Sequence, residues 1–263
     1  MVFLDVQSIS LSFGGIKALS DVSLSVEQGE LYAVIGPNGA GKTCLLNCIS
    51  GFYKPDAGTI LFEGRDLARL RPDQVARQGI ARTFQNVELF SRMTAVDNML
   101  LGRHNHFSTG FFSNAALGYR GREESEHRQK VEEIIDFLEM EQWRKHFAAD
   151  LPYGVQKRVE LGRALAQEPK LLLLDEPMAG MNLEETQDMA RFIIDIHEEL
   201  GTTVVMIEHD MDVVIDISQR ICVLDFGQMI AEGTPAEVQR NPEVQKAYLG
   251  EDYQILVKGG AGR

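Results

Sequence analysis

Residues Leu31 to Thr43, LYAVIGPNGAGKT, join an apolar pentapeptide to a glycine-rich turn. The apolar run, the glycines and then Leu45, Leu46 and Ile49 at helical spacing predict a strand, a turn and a helix that begins near Gly41. Each residue type in the turn has a physical use. Gly36, Gly39 and Gly41 permit backbone angles that a side chain would forbid, so successive N–H groups can converge on a concavity suited to polyphosphate oxygens. Pro37, Asn38 and Ala40 complete the loop and are expected nucleotide contacts. Lys42 adds a point charge for the terminal phosphates, and the Thr43 hydroxyl can ligate Mg²⁺. These residues predict a nucleoside triphosphate site.

At 263 residues and 44% hydrophobic composition, the chain can bury a substantial core as one α/β domain with an insertion, and it has no room for a second full nucleotide domain. A net charge of −13 argues against a broad phosphate-neutralising surface, so neither nucleic acid nor anionic lipid is an expected direct partner. Cys44, Cys48 and Cys222 sit in apolar contexts and are odd in number, which predicts reduced thiols in the cytosol and no disulfide framework. Cys44 and Cys48 share one face of the helix after the loop, where packing is the expected role. The opening MVFLDVQSISLSF lacks a charged region and a long apolar core, so it is a strand candidate. No apolar run reaches the length of a membrane span, so work at a membrane would need another subunit.

In chain order, Val2 to Ser8 is an expected strand, and Val22, Leu24 and Val26 lie on one face of a second. Phe13, before Gly14 and Gly15, is either core or a flat face for a nucleotide base. Gly51 to Gly58 is a turn, Thr59 to Phe62 a strand, and Ile80 to Phe84 a run into Gln85. From about Asn86 to Ala149 strand-like runs vanish. Helices are expected from Thr94, as N-cap, to about His106 and from Glu123 to Met140, with an aromatic loop (Phe107, Phe111, Phe112, Tyr119) between them. A further helix spans 154–167, ended by Gln167, Glu168 and Pro169. Leu171 to Leu174 and Thr203 to Ile207 are wholly apolar, as expected of strands buried on both faces of a parallel sheet, with a helix over 183–199 between them. Arg220 to Asp225 and Gln228 to Glu232 read as a small strand pair, followed by short helices over 235–249 and a glycine-rich tail.

Asp175 and Glu176 fall at the carboxyl end of a buried strand, where open α/β sheets bind ligands. With the phosphate loop they make the parts of a Mg²⁺-dependent triphosphate hydrolase. Asp175 orients the metal through its waters, and Glu176 polarises an attacking water. His209, at the tip of the next strand, either contacts the γ-phosphate or holds Glu176 in place.

Taken together, the chain resembles the nucleotide-binding subunits of ABC transporters over nearly its whole length. GPNGAGKT matches that family's Walker A motif, Gln85 its Q-loop, LLLLDEP (Leu171 to Pro177) its Walker B, and His209 its switch histidine. Phe13 falls where the family places an aromatic that stacks on adenine. RTFQNVELF, MAGMN, IEHDM and NPEVQKAYLGE look like the ATPase subunit of branched-chain amino acid importers, although subunits for urea, other amides or lipopolysaccharide share much of this text. A non-transport ABC ATPase acting on DNA ends or ribosomes is the rival, and it would need coiled-coil arms or two linked ATPase domains. The resemblance implies a P-loop NTPase fold with a mostly parallel central sheet, an N-terminal antiparallel β subdomain and an α-helical insertion. In a single domain over 1–263, residues 1–85 and 168–250 would form the core with the antiparallel subdomain, about 86–167 the helical part, and 251–263 a tail.

The resemblance also implies that ATP binds between two such subunits arranged head to tail. Walker A, Walker B, Gln85 (a sensor of Mg²⁺ and the γ-phosphate) and His209 of one chain then face the signature helix of the other. Here the signature is Leu151, Pro152, Tyr153, Gly154, Val155, Gln156, against the usual LSGGQ. Pro152 replaces a serine that would offer both a hydroxyl and an N–H, and proline has neither. Either Pro152 simply starts a helix, or the chain pairs with a different ATPase subunit and the two composite sites are unequal. A heterodimer is the favoured expectation and a homodimer the alternative. Two membrane permease subunits are expected to contact the segment from Gln85 to His106, and an extracellular or periplasmic binding protein to act indirectly. The implied location is peripheral, on the cytoplasmic face of the membrane.

Overall fold

The computed structural model describes residues 2–106 and 120–248. Two twelve-residue strands open the chain, β1 (Val2–Phe13) and β2 (Ile16–Glu27). Then follow β3 (Leu31–Ile35), α1 (Lys42–Ile49), β4 (Ala57–Phe62), the two-residue β5 (Arg65–Asp66), α2 (Pro72–Ala76) and β6 (Ile80–Arg82). Next come α3 (Ala95–Leu100) with a 3₁₀ turn over Leu101–His106, α4 (Arg120–Phe137) and α5 (Tyr153–Leu165). The last part alternates β7 (Leu171–Asp175), α6 (Leu183–Glu198), β8 (Thr203–Ile207), α7 (Met211–Ile217) and β9 (Arg220–Asp225). It ends with β10 (Gln228–Gly233), α8 (Pro235–Arg240) and α9 (Pro242–Tyr248).

The strands make two sheets. One is antiparallel, in the order β2-β1-β4-β5. The other runs β10-β9-β3-β8-β7-β6 and is parallel except for its edge strand β10. Strands β3, β7 and β8 are buried at every residue, and their side chains divide by the two-residue period of a strand. Leu31, Ala33 and Ile35 enter a core shared with α3 to α8. Tyr32 and Val34 enter a second core with α1 and the antiparallel sheet. The parallel sheet is therefore a middle layer, and its carboxyl edge carries the ends of β3, β6, β7 and β8 to one place.

Several expectations change in detail. The strand over Val2 to Ser8 continues to Phe13. Ser8 sits at φ 50° in a register shift, which breaks the alternation and then returns Ile9 and Leu11 to the buried face. The helix from Thr94 is α-helical only to Leu100, with the Thr94 hydroxyl accepting from Asp97 N–H as its cap. Beyond it Gly102 lies so close to α5 that a Cβ there would come 2.2 Å from the Arg163 carbonyl oxygen. The helix expected over Glu123 to Met140 runs Arg120–Phe137, and Glu139, at φ 54°, turns the chain out of it. The expected strand pair forms, with Arg220–Asp225 antiparallel to β10, and it is joined to the main sheet: β9 also lies parallel to β3, with Ile221, Cys222, Val223 and Leu224 fully buried. A four-residue apolar run looks the same in either setting, so only the pairing partner distinguishes them. Helices α2 and α7 were not expected; Asp210 caps α7 by accepting from the N–H groups of Asp212 and Val213. Cys48 and Cys222 are buried free thiols, and Cys44 is half-buried. The aromatic loop Phe107, Phe111, Phe112 and Tyr119 lies outside the described residues, as does the tail. No helix among the described residues is long and apolar enough to cross a membrane.

Candidate functional site

The loop between β3 and α1 is shaped by two close approaches. At Gly36 (φ 148°) a Cβ would come 2.0 Å from the carbonyl oxygen of Leu224 in β9. At Gly41 (φ 100°) it would come 2.5 Å from that of Ala18 in β2. The loop is thus pressed against two strands, and both positions need glycine. We predict that Gly36→Ala lowers unfolding free energy by about 3 kcal/mol and weakens ATP binding, since backbone must move. Thermal unfolding and equilibrium ATP binding check this, and unchanged values would contradict the close packing.

Gly41 precedes α1 in the left-handed conformation with no side chain capping the helix, so its first N–H groups remain available to an anion. Lys42 is buried and donates to the carbonyl oxygens of Gly36 (2.6 Å) and Pro37 (3.0 Å), which places its ammonium over the concavity. Thr43, one residue on, is exposed. Phe13 is no core residue: it is half exposed and packs edge-to-face on Tyr53, with centroids 5.1 Å apart. That leaves ring surface open at the hairpin tip.

Strand β7 delivers Asp175 and Glu176. Asp175 is buried, and its Oδ2 accepts from Arg82 Nη2 at 2.8 Å, while Oδ1 is buried with no hydrogen-bond partner. Burial pushes the Asp175 carboxyl up, and the Arg82 guanidinium counters it. Arg82 also donates to Asn47 Oδ1 and Ser50 Oγ of the α1 segment, and its guanidinium lies beside the rings of Phe52 and Phe84, which themselves meet edge-to-face at 5.6 Å. An orphaned carboxylate oxygen is what a divalent cation would satisfy. No cluster of three or more His, Cys, Asp or Glu exists among the described residues, so a cage built from protein alone is not on offer. Asp175 with the Thr43 hydroxyl instead fits Mg²⁺, which keeps waters and shares its ligands with substrate phosphates.

Glu176 sits at φ 49°, held by its N–H donating to Ile207 O (3.0 Å), and its Oε2 accepts from Gln85 Nε2 at 2.9 Å. The side chain that meets Glu176 is therefore Gln85. His209 is largely exposed, and its Nδ1 lies 3.7 Å from Oε2 of buried Glu208, which also accepts from the N–H groups of Met178 and His209. The carboxylate beside His209 is thus that of Glu208. Burial pushes the Glu208 carboxyl up, and the two N–H donors oppose that.

The Leu151–Gly154 segment starts α5, with Pro152 as its N-cap residue and Leu151 buried. Its neighbours are in the segment after β7. Tyr153 faces Gly180, and a Cβ on Gly154 would come 2.4 Å from Glu185 Oε1. The exposed Pro152 and Tyr153 thus point away from the core of their own chain. Sequence reasoning missed Arg82, Lys157 and Glu208 as parts of this site. The only signal for Arg82 was a charge inside the otherwise apolar run before Gln85.

Residues 19–179 match the ABC transporter family, and residues 228–254 match the branched-chain amino acid ATP-binding cassette transporter family. The high-affinity branched-chain amino acid transport ATP-binding protein BraF of Pseudomonas aeruginosa is 41% identical over 250 residues, covering 94% of this chain and 98% of the relative. The corresponding protein LivG of Escherichia coli is 40% identical with the same coverage. A nucleotide-free ATP-binding cassette from an ABC transporter superposes with a TM-score of 0.83 at 35% identity, covering 95% of this chain and all of that one. A dimeric post-hydrolysis ATP-binding cassette bound to ADP and Pi superposes with a TM-score of 0.76 at 26% identity, over 89% of this chain and 99% of that one. With the phosphate loop, the Asp-Glu pair and Gln85 converging at one sheet edge, the chain belongs to the ABC transporter family, as an ATP-binding ATPase subunit.

Proposed function

We propose that this chain is the ATP-hydrolysing subunit of an importer for branched-chain amino acids, peripheral to the cytoplasmic face of the membrane. The observation that carries the proposal is the junction of Gln85, Asp175 and Glu176 beside the phosphate loop, in a chain about 40% identical to subunits named for that transport. Residues 1–85 and 168–250 make the core with its antiparallel sheet, and about 86–167 the helical part.

ATP is held with adenine on Phe13 and its phosphates against the N–H groups of Gly36 to Gly41, with Pro37, Asn38, Gly39 and Ala40 as the loop, Lys42 at the terminal phosphates and Thr43 and Asp175 toward Mg²⁺. When bound, Mg²⁺ neutralises charge developing on the phosphoryl oxygens. Glu176 accepts a proton from the attacking water, Gln85 holds its carboxylate and sees both the metal and the γ-phosphate, and His209 reaches the γ-phosphate. Expulsion of phosphate then opens the site.

A second ATPase subunit completes each site with Leu151, Pro152, Tyr153 and Gly154 or their counterparts, an arrangement supported by the dimeric cassette this chain resembles and by the outward-facing segment. Pro152 offers that partner no N–H and no hydroxyl, so a heterodimer with one efficient and one weak site is favoured. Val87, Leu89, Phe90 and α3 form the surface for two membrane subunits, and Phe90 is exposed there. A binding protein outside the membrane acts on the assembly indirectly.

The test is reconstitution of the chain with its membrane subunits, second ATPase and binding protein in proteoliposomes. ATP-dependent uptake of leucine, isoleucine or valine is expected; uptake of a different solute class instead would overturn the assignment. In that assembly Pro152→Ser is expected to raise ATP turnover about 2- to 10-fold by restoring a donor to the weak site. Unchanged turnover would remove the asymmetry.

A further inference from the structure

We infer that Lys157 is a positioning residue that ties the signature helix to the catalytic pair. Lys157 lies in the second turn of α5 and is 3% exposed. Its Nζ donates to the carbonyl oxygen of Gln85 at 3.0 Å and to that of Glu176 at 3.2 Å. These are the two residues whose side chains bond one another, Gln85 Nε2 to Glu176 Oε2 at 2.9 Å. One buried ammonium therefore straps both main chains from the helix that begins at Pro152. The strap matters because Glu176 has a left-handed backbone, which costs a side-chain-bearing residue about 1–2 kcal/mol and persists only where its surroundings over-determine it. Its carbonyl is pinned by Lys157 Nζ and by the N–H of Ala179 (3.2 Å), and its own N–H by Ile207 O.

Burial alone draws the Lys157 ammonium toward deprotonation, and Glu160, Glu208, Glu176 and Asp175 oppose this. A buried ammonium is tolerable only where acceptors and opposite charges meet it, and the Gln85 and Glu176 carbonyl oxygens with these carboxylates supply them.

The inference rests on Glu176 and Gln85 acting as proposed above. Lys157→Met keeps the length and loses the donor, and Lys157→Arg keeps the charge. In the assembled transporter, Lys157→Met is expected to lower kcat for ATP about 10- to 100-fold, with KM for ATP and equilibrium ATP binding within about 2-fold of the parent. Lys157→Arg recovers at least half of that loss. A kcat within 2-fold of the parent in Lys157→Met overturns the inference. So does a joint fall of kcat, ATP binding and melting temperature that Lys157→Arg leaves unrepaired, because a purely structural lysine would behave that way. Glu176→Gln is the control: if it turns over ATP normally, the reading of the site has failed rather than the strap.

Discussion

Glu176→Gln is expected to lower steady-state ATP hydrolysis by about 10²- to 10⁴-fold while leaving ATP binding within a few-fold of the parent. The carboxylate sits at the end of β7 beside Asp175, with one oxygen accepting from Gln85, and in the proposed function it is the base that receives the water's proton. A carboxamide is the same size and its oxygen can still accept that hydrogen bond, but it cannot take the proton. The phosphate loop, Lys42 and Phe13 lie on other elements and keep their contacts. Release of inorganic phosphate by the assembled transporter measures the rate, and equilibrium ATP binding measures retention. Turnover above a tenth of the parent would take Glu176 out of this role.

Arg82→Met should cost about 3–5 kcal/mol of unfolding free energy, the usual loss when one partner of a buried ion pair is removed. The Arg82 and Asp175 side chains are 6% and 1% exposed, and they meet at 2.8 Å. Without the guanidinium, Asp175 is a buried carboxylate with neither oxygen satisfied, and Asn47 and Ser50 lose their donor as well. Methionine keeps an unbranched apolar chain beside Phe52 and Phe84 but carries no charge, so the penalty is chiefly electrostatic. Denaturant unfolding measures it. Adding Asp175→Asn to Arg82→Met should recover part of the stability, since the unpaired charge goes. A loss below 1 kcal/mol, or strictly additive effects of the two substitutions, would refute the account. The same pair that secures β7 to β6 and α1 leaves Asp175 Oδ1 without a hydrogen-bond partner.

The site was legible where chemistry is local in sequence. GPNGAGKT carries its glycines, lysine and threonine within eight residues, and their conformation follows from residue type alone. LLLLDEP states both the burial of a strand and the residues at its exit. Gln85 and Phe13 needed the family pattern, because a lone glutamine or phenylalanine has no chemical signature of its own. Arg82, Lys157 and Glu208 had none either. Their partners lie 93, 72 and 19, and 30 positions away, for Asp175, Gln85 and Glu176, and Met178.

What the sequence determined by itself was the order of most elements, the both-face burial of β3, β7 and β8, and the chemistry at their ends, since period, composition and glycine placement act over a few residues. Tertiary structure alone decided three things. It set β9 against β3 in the main sheet, turned Phe13 outward to rest on Tyr53, and brought a buried arginine to Asp175 and a buried lysine to Glu176. A buried charge is tolerable only where distant segments supply its acceptors, and that supply comes into being when the sheet and α5 pack together.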